Sequence, residues 1–255
     1  MADKEAAVEV FSTTTSGGSP VNKKTRVGSS PSFIRKMATI PAPLFESDDE
    51  ATPISNLPDP KESKAEPDEF LRLLVKAQLG VELKVRKGLD LASEGGYFPD
   101  ITEEQQAAYT MEVLTPARDN NVDALKALVE AKGRQAVDCC NRFGETLLNL
   151  ACRRGFTEVA EFLLSKEIGL DVRMKDDFGR TPLHDACWHP KPQLDICGWL
   201  IERDPTLLLV SDKRGNTPFQ YAREEDWPTW RQFLFDHRAS LQQLTEPATL
   251  KRFSP

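Results

Sequence analysis

His184, Cys187 and His189 fall within six residues, and imidazole and thiolate at such spacing are ligands that zinc favours. A structural zinc site takes about four of them in a tetrahedron, and no second ligand pair stands at a suitable distance along the chain, so no metal is expected there. Cys139 and Cys140 are adjacent, precede a turn, and are expected to be partly exposed. With Cys187 they define an alternative reading, a thiol- or metal-based sensor. No cationic helix end stands beside them to lower a thiol pKa. Cys152 and Cys187 occupy matching positions of successive units. Packed helices lie about 8–10 Å apart, beyond the reach of a disulfide, so both read as small buried side chains. Three histidines, no Gly-x-Ser-x-Gly nucleophile turn and no phosphate-cradling glycine loop leave no catalytic residues and no cofactor to expect.

The bulk properties exclude further classes. A net charge of −7 argues against a general nucleic-acid binder, which is usually basic. No run approaches the roughly 18 apolar residues of a membrane span, and the first residues lack the basic start and apolar stretch of a secretory signal. Five cysteines at irregular spacing then read as reduced thiols, and the expected location, by elimination, is cytoplasmic or nuclear.

The elements that would position any chemistry begin late. Residues 1–66 are rich in Ser, Thr, Pro, Lys and Glu without apolar periodicity, and are expected to form a disordered tail. Within it, 22–37 is basic, and an acidic stretch, 46–69, runs just past its end. Arg26-Val-Gly-Ser29-Ser-Pro31 resembles the phosphopeptides read by 14-3-3 adaptors, which makes Ser29 a candidate phosphosite. Residues 67–101 are expected to be a helical extension. Pro67 opens a helix with Phe70, Leu73, Leu74 and Ala77 on one face and Gly80 as its stop, while over 81–97 Val81, Leu83 and Val85 alternate like a strand yet a continued helix also fits. Thr102-Glu-Glu-Gln105 is a capping box that starts the next helix; Pro116 breaks or kinks it, and a second helix follows Asn121. Residues 241–255 read as a flexible C-terminal tail.

Gly144, Gly179 and Gly215 stand 35 and 36 residues apart in matching contexts: Asn141-Arg-Phe-Gly-Glu-Thr, Asp176-Asp-Phe-Gly-Arg-Thr-Pro-Leu-His and Asp212-Lys-Arg-Gly-Asn-Thr-Pro-Phe. A period of this size marks stacked units that bury apolar faces only against their neighbours. Glycine permits the turn, and threonine caps a helix whose first position accepts proline. The units resemble ankyrin repeats, whose turn is followed by Thr-Pro-Leu-His-x-Ala; Asp176 to Ala186 matches almost residue for residue. The resemblance covers about 102–240. It implies an all-α solenoid of about four helix pairs with short hairpin turns, preceded by the tail. His184 then falls on the family's structural histidine. The last unit's Trp227, Trp230, Phe233 and Phe235 read as a hydrophobic cap on the open end.

The same resemblance implies a non-enzymatic scaffold or adaptor that binds another protein through hairpin tips and first-helix faces. Carried over by position, the binding residues are Arg142, Phe143, Glu145, Arg153 and Arg154, then Asp177, Phe178, Arg180, Trp188 and His189, then Lys213, Arg214, Asn216, Glu224 and Glu225. Six are cationic against four acids, so the expected partner is an acidic segment or surface, with no small-molecule substrate, membrane or nucleic acid. A self-regulating variant places the acidic stretch 46–69 in that basic groove.

Overall fold

A computed structural model describes residues 57–245. The tail expected over 1–56, with Ser29, and residues 246–255 lie outside the described residues. The elements in chain order are α1 (Pro67–Leu79), β1 (Arg86–Lys87), α2 (Gly88–Glu94), α3 (Glu103–Ala108), α4 (Met111–Arg118), α5 (Val122–Lys132), α6 (Leu147–Arg154), α7 (Thr157–Leu164), α8 (Pro182–Trp188), α9 (Leu194–Arg203), β2 (Val210–Ser211), α10 (Trp227–Asp236) and α11 (Arg238–Leu241). A short 3₁₀ turn, Pro218–Tyr221, replaces the first helix of the last unit.

Three hairpins repeat one hydrogen-bond scheme. The side-chain oxygen of Asn141, Asp176 or Asp212 accepts from the amides two and four residues on, as in Asp212 Oδ1 with Arg214 N and Asn216 N, both at 2.8 Å. The glycine that follows takes φ of +82°, +79° or +89°, a left-handed conformation open to a residue without Cβ. At Gly144 space forbids a side chain as well, since a Cβ would lie 2.4 Å from the Lys175 carbonyl oxygen. Each hairpin then ends in a threonine whose hydroxyl caps the next element, with Asn149, His184 and Gln220 completing the box.

Those third residues also stitch units together. Asn149 Nδ2 donates to Asp185 of the next unit at 2.9 Å, and His184 Nε2 donates to the Asn216 carbonyl at 3.2 Å. His184 Nδ1 accepts from the Thr181 amide at 3.1 Å, so the ring is held as the neutral Nε2–H tautomer. Burial holds its pKa down at about 4, from 6.5. Its stabilising contribution is therefore full above pH 6.5 and is lost as pH falls toward 4, where the unfolded chain takes a proton that the folded site refuses. Over the whole interval this amounts to about 3 kcal/mol. His184→Gln, which copies Gln220, is expected to retain the fold and to lose less stability than the parent between pH 7.5 and 4.5 in urea titrations. Parallel pH profiles would contradict this origin of the acid limb.

The first unit departs from expectation. The Thr102 capping box starts a helix, but α3 ends at Ala108, and Pro116 lies inside a separate α4 rather than ending it. The row of first helices runs α4, α6, α8 and the 218–221 turn, each packed on the next.

The chain's own N-terminal segment then extends the stack. α1 packs on the 218–221 turn, α10 and α11, burying Phe70, Leu71, Leu74 and Val75, while Leu73 on the expected apolar face stays 45% exposed. Thr217 Oγ1 donates to the buried Asp68 carboxylate at 2.6 Å; burial raises the pKa of that acid against the pull of this bond. Trp230 and Phe233 are buried, edge-on to one another, as a cap requires, and Phe219 also lies edge-on to Trp230. α1 covers the helix that carries them.

Residues 57–66, expected in the tail, are placed here too. Buried Arg231 of α10 donates to the carbonyls of Pro60 and Ala65, both at 3.0 Å, and so fixes the chain entering α1. Leu241 and Leu244, expected in a C-terminal tail, are likewise buried.

From Gly80, left-handed at φ +68° as a helix stop requires, the chain runs back against the repeat order. Arg86 and Lys87 pair in parallel with Val210 and Ser211, a small departure from an all-α fold. Tyr97 bonds Thr206 at 2.8 Å, Lys175 lies 5.5 Å over the Phe98 ring, and Gln105 Nε2 donates to Asp138 at 2.9 Å. The extension expected as a separate segment is thus laid along the repeats from the fourth unit to the second.

Candidate partner-binding surface

The hairpin tips form the first row of the surface. Phe143 and Phe178, at the tips of successive hairpins, are each 47% exposed. Cations lie on both rings: Arg142 at 4.6 Å from the Phe143 centroid, Arg180 and Lys213 at 5.3 and 5.6 Å from that of Phe178. Such contacts hold the guanidinium and ammonium groups over apolar surface while leaving them open to solvent. Arg214 and Asp177 are exposed beside them, and Asn216 is half-buried because its carbonyl receives His184.

The first-helix row behaves differently. Arg153 Nε donates to Asp185 at 2.9 Å, and its Nη2 pairs with Glu145. Asp185 is 2% exposed; burial raises its pKa, opposed by Arg153 and Asn149. Arg180 is likewise tied to its own turn through Asp176 at 2.8 Å. Two of the six expected cations, Arg153 on α6 and Arg180 in its hairpin, and Glu145 with them, are therefore committed to internal ion pairs, and the surface is less basic than its composition implies. Asp185 escaped the sequence count because it occupies the variable position between His184 and Ala186.

Trp188 is 55% exposed at the end of α8. Beyond it the two extra residues make a turn in which His189 Nδ1 accepts from Lys191 N at 3.1 Å. That turn leans on Gly155, where a Cβ would meet Gln193 and His189 at 2.8 and 3.0 Å. Arg154, Glu224 and Glu225 are exposed, and Arg223 pairs with Glu225 at 3.6 Å. The structure thus gathers Arg142, Phe143, Phe178, Arg180 and Lys213 into one stripe of tips.

All five cysteines are buried, including Cys139 and Cys140, which sequence reasoning placed partly in solvent. Burial pushes the Cys139 thiol up to about 12 and also raises Cys140, Cys152 and Cys197. Such thiols are protonated and shielded at neutral pH. Among the described residues no three His, Cys, Asp or Glu side chains converge on a metal position, and no helix is long and apolar enough to cross a membrane.

The acidic segment 57–69, the described part of the proposed self-occupant, packs on the fourth unit through Pro60, Ala65 and Asp68. It does not lie over the tips; the remainder, 46–56, falls outside the described residues.

The model of a family described as "Ankyrin repeats (3 copies)" matches residues 115–208. Over 105 residues the chain is 30% identical to the probable 26S proteasome regulatory subunit p28 of Saccharomyces cerevisiae, covering 41% of this chain and 44% of that protein. It is 37% identical over 82 residues to protein phosphatase 1 regulatory subunit 12A of Mus musculus, covering 32% of this chain and 8% of the relative. With BCL-6 corepressor-like protein 1 of Homo sapiens it shares 32% identity over 118 residues, which is 45% of this chain and 6% of the other. The chain therefore spans less than half the length of each of these relatives. The matched segment runs from within α4 through α9 and holds the first two of the three hairpins, so residues 115–208 are ankyrin repeats.

Proposed function

We propose that this chain is a non-enzymatic protein–protein interaction module that grips an acidic segment of its partner along the hairpin tips. The observation that carries the reading is the stripe Arg142–Phe143 and Phe178–Lys213, in which half-exposed rings lie under cations at 4.6 to 5.6 Å. An aromatic that remains in water while supporting a cation is the composition of an interface centre. Trp188 extends it toward the first-helix ends. Relatives named as regulatory subunits of a proteasome and of a phosphatase support a protein partner. Recognition of micromolar class, about −8 kcal/mol, is the expected strength. The location that goes with this role is the cytoplasm or nucleus.

Arg153 is unsuited to the test because its loss exposes a structural defect. The variant Arg142→Glu/Phe178→Ala/Arg214→Glu touches the exposed stripe alone. In affinity purification with the full chain as bait, it is expected to recover the parent's partners at less than a tenth of the parental level, with an unchanged circular dichroism spectrum. Poly-glutamate should compete with them for the parent, more weakly as salt is raised. Unchanged recovery by a folded variant would refute the surface; loss of recovery without competition by poly-glutamate would refute the acidic partner.

A further inference from the structure

A second groove lies on the opposite helices of the stack, between α9 and α10, with a cavity of about 530 Å³. Its presence follows from Gly198. A Cβ there would stand 2.9 Å from His237 Nε2, so the missing side chain lets His237 sink to the floor beside Phe233. His237 Nδ1 donates to the Phe233 carbonyl at 2.9 Å, which leaves Nε2 as an acceptor at the groove floor.

The walls are acidic. Asp195 and Glu202 stand on α9 and Asp236 on α10, all three exposed, and no lysine or arginine is among the lining residues. Arg203, which interacts electrostatically with Glu202, and Arg238 stand outside the lining. Arg203 donates to the carbonyls of Leu164 and Trp199, and Arg238 donates to the Phe235 carbonyl while lying 4.7 Å over that ring. Asp195 and Glu202 are seven residues apart, so they share one helix face about 10.5 Å apart along its axis. The half-buried Trp199 lies between them, a surface for the apolar stem or planar head of a long cationic side chain.

We propose that this groove binds a basic peptide segment of a partner protein in a polyproline II conformation, with two Lys or Arg side chains about three residues apart, which its three-residue turn places on one side. Three residues of such a chain span roughly 9 Å, close to the axial offset of Asp195 and Glu202 on α9. One cation meets Asp195, the other meets Glu202, and Asp236 faces them from α10. Arginine fits the site better than lysine, because its planar head pairs with a carboxylate through two parallel bonds and stacks on indole. This site is independent of the hairpin stripe and of opposite sign, so the two read different segments.

The test is isothermal titration of the full chain with the peptide Gly-Arg-Gly-Gly-Arg-Gly, and with the same peptide carrying glutamate for arginine. The arginine peptide is expected to bind with one-to-one stoichiometry and to weaken at least fivefold between 50 and 200 mM salt. The glutamate peptide is expected to give no heat assignable to this site. Asp195→Asn/Glu202→Gln/Asp236→Asn, nearly isosteric and on exposed positions, should reduce arginine-peptide affinity at least tenfold, whereas the hairpin variant Arg142→Glu/Phe178→Ala/Arg214→Glu should bind it as the parent does. No binding by the parent, or binding unaltered by the three amide substitutions, would overturn the proposal. So would equal binding of free arginine and the peptide, which points to a small-molecule site instead. Failure here leaves the acidic-partner reading of the tips untouched, since that reading predicts no dependence on Asp195, Glu202 or Asp236.

Discussion

Phe70→Ala is expected to destabilise the protein by about 4 kcal/mol, and Phe70→Ala/Leu74→Ala to remove most of its stability. Both side chains are fully buried on a helix that belongs to no repeat, between the last unit and solvent. Phe→Ala and Leu→Ala in packed cores each cost several kcal/mol through lost transfer free energy and the cavity left behind. Whole domains are stable by only about 5–15 kcal/mol, so the pair approaches the total. Leu73→Ala on the same helix, at a side chain 45% exposed, should cost less than about 1 kcal/mol. Urea titration followed by tryptophan fluorescence measures all three, and Trp230, buried in the helix that α1 covers, should report the change. A Phe70→Ala variant within about 1 kcal/mol of the parent would mean that α1 does not close the stack.

Arg153→Ala should cost about 3 kcal/mol at pH 7.5, because it strands the Asp185 carboxylate in a site 2% exposed. The sign of its pH dependence follows from the same burial. A carboxylate whose pKa is raised in the folded state contributes stability below its unfolded pKa and loses it as pH rises through the folded value. Asp185 is already raised with Arg153 present. Removing the cation raises it further, so the penalty should be largest at neutral pH and shrink on acidification toward pH 5. Asp185→Asn in the same background leaves no charge to strand and can keep a hydrogen bond to Asn149, and should recover most of the loss. Equal penalties at pH 7.5 and pH 5, with no rescue by the asparagine, would contradict this origin. Arg153, expected from its type and position as a binding residue, is thus held in ion pairs with Asp185 and Glu145.

What could be read from the residues alone was local. The turns at Gly144, Gly179 and Gly215 are set by an Asn or Asp side chain reaching amides two and four residues on, and by a threonine capping the next helix. Partners that close lie within one unit and leave a pattern that recurs every 35 or 36 residues. The path of α1 and residues 80–101 was hidden for the converse reason. Its anchors join residues 149 apart, Asp68 with Thr217, and 109 apart, Tyr97 with Thr206, and neither end of such a bond marks its partner in sequence. The alternation of Val81, Leu83 and Val85 even misleads, since Val81 and Val85 are exposed and the paired strand is the next two residues. Among the candidate binding residues, Arg142, Phe143, Asp177, Phe178, Lys213 and Arg214 kept their exposure because the outer end of a hairpin has no layer above it. Arg153 and Arg180 did not keep their charge free, because acids at Asp185, Glu145 and Asp176 lie within reach.

A closed stack requires α1 and the repeats to be one cooperative structure, with α1 covering α10 and the 218–221 turn of the last unit. Native-state hydrogen exchange reads this directly, since each amide reports the free energy of the opening that exposes it. The amides of Leu74 and Val75 in α1 should exchange with opening free energies within about 1 kcal/mol of those at Ala186 and Cys187 in the interior α8. Exchange in α1 faster by several orders of magnitude, with α8 still protected, would show a loosely attached helix and contradict the closed stack.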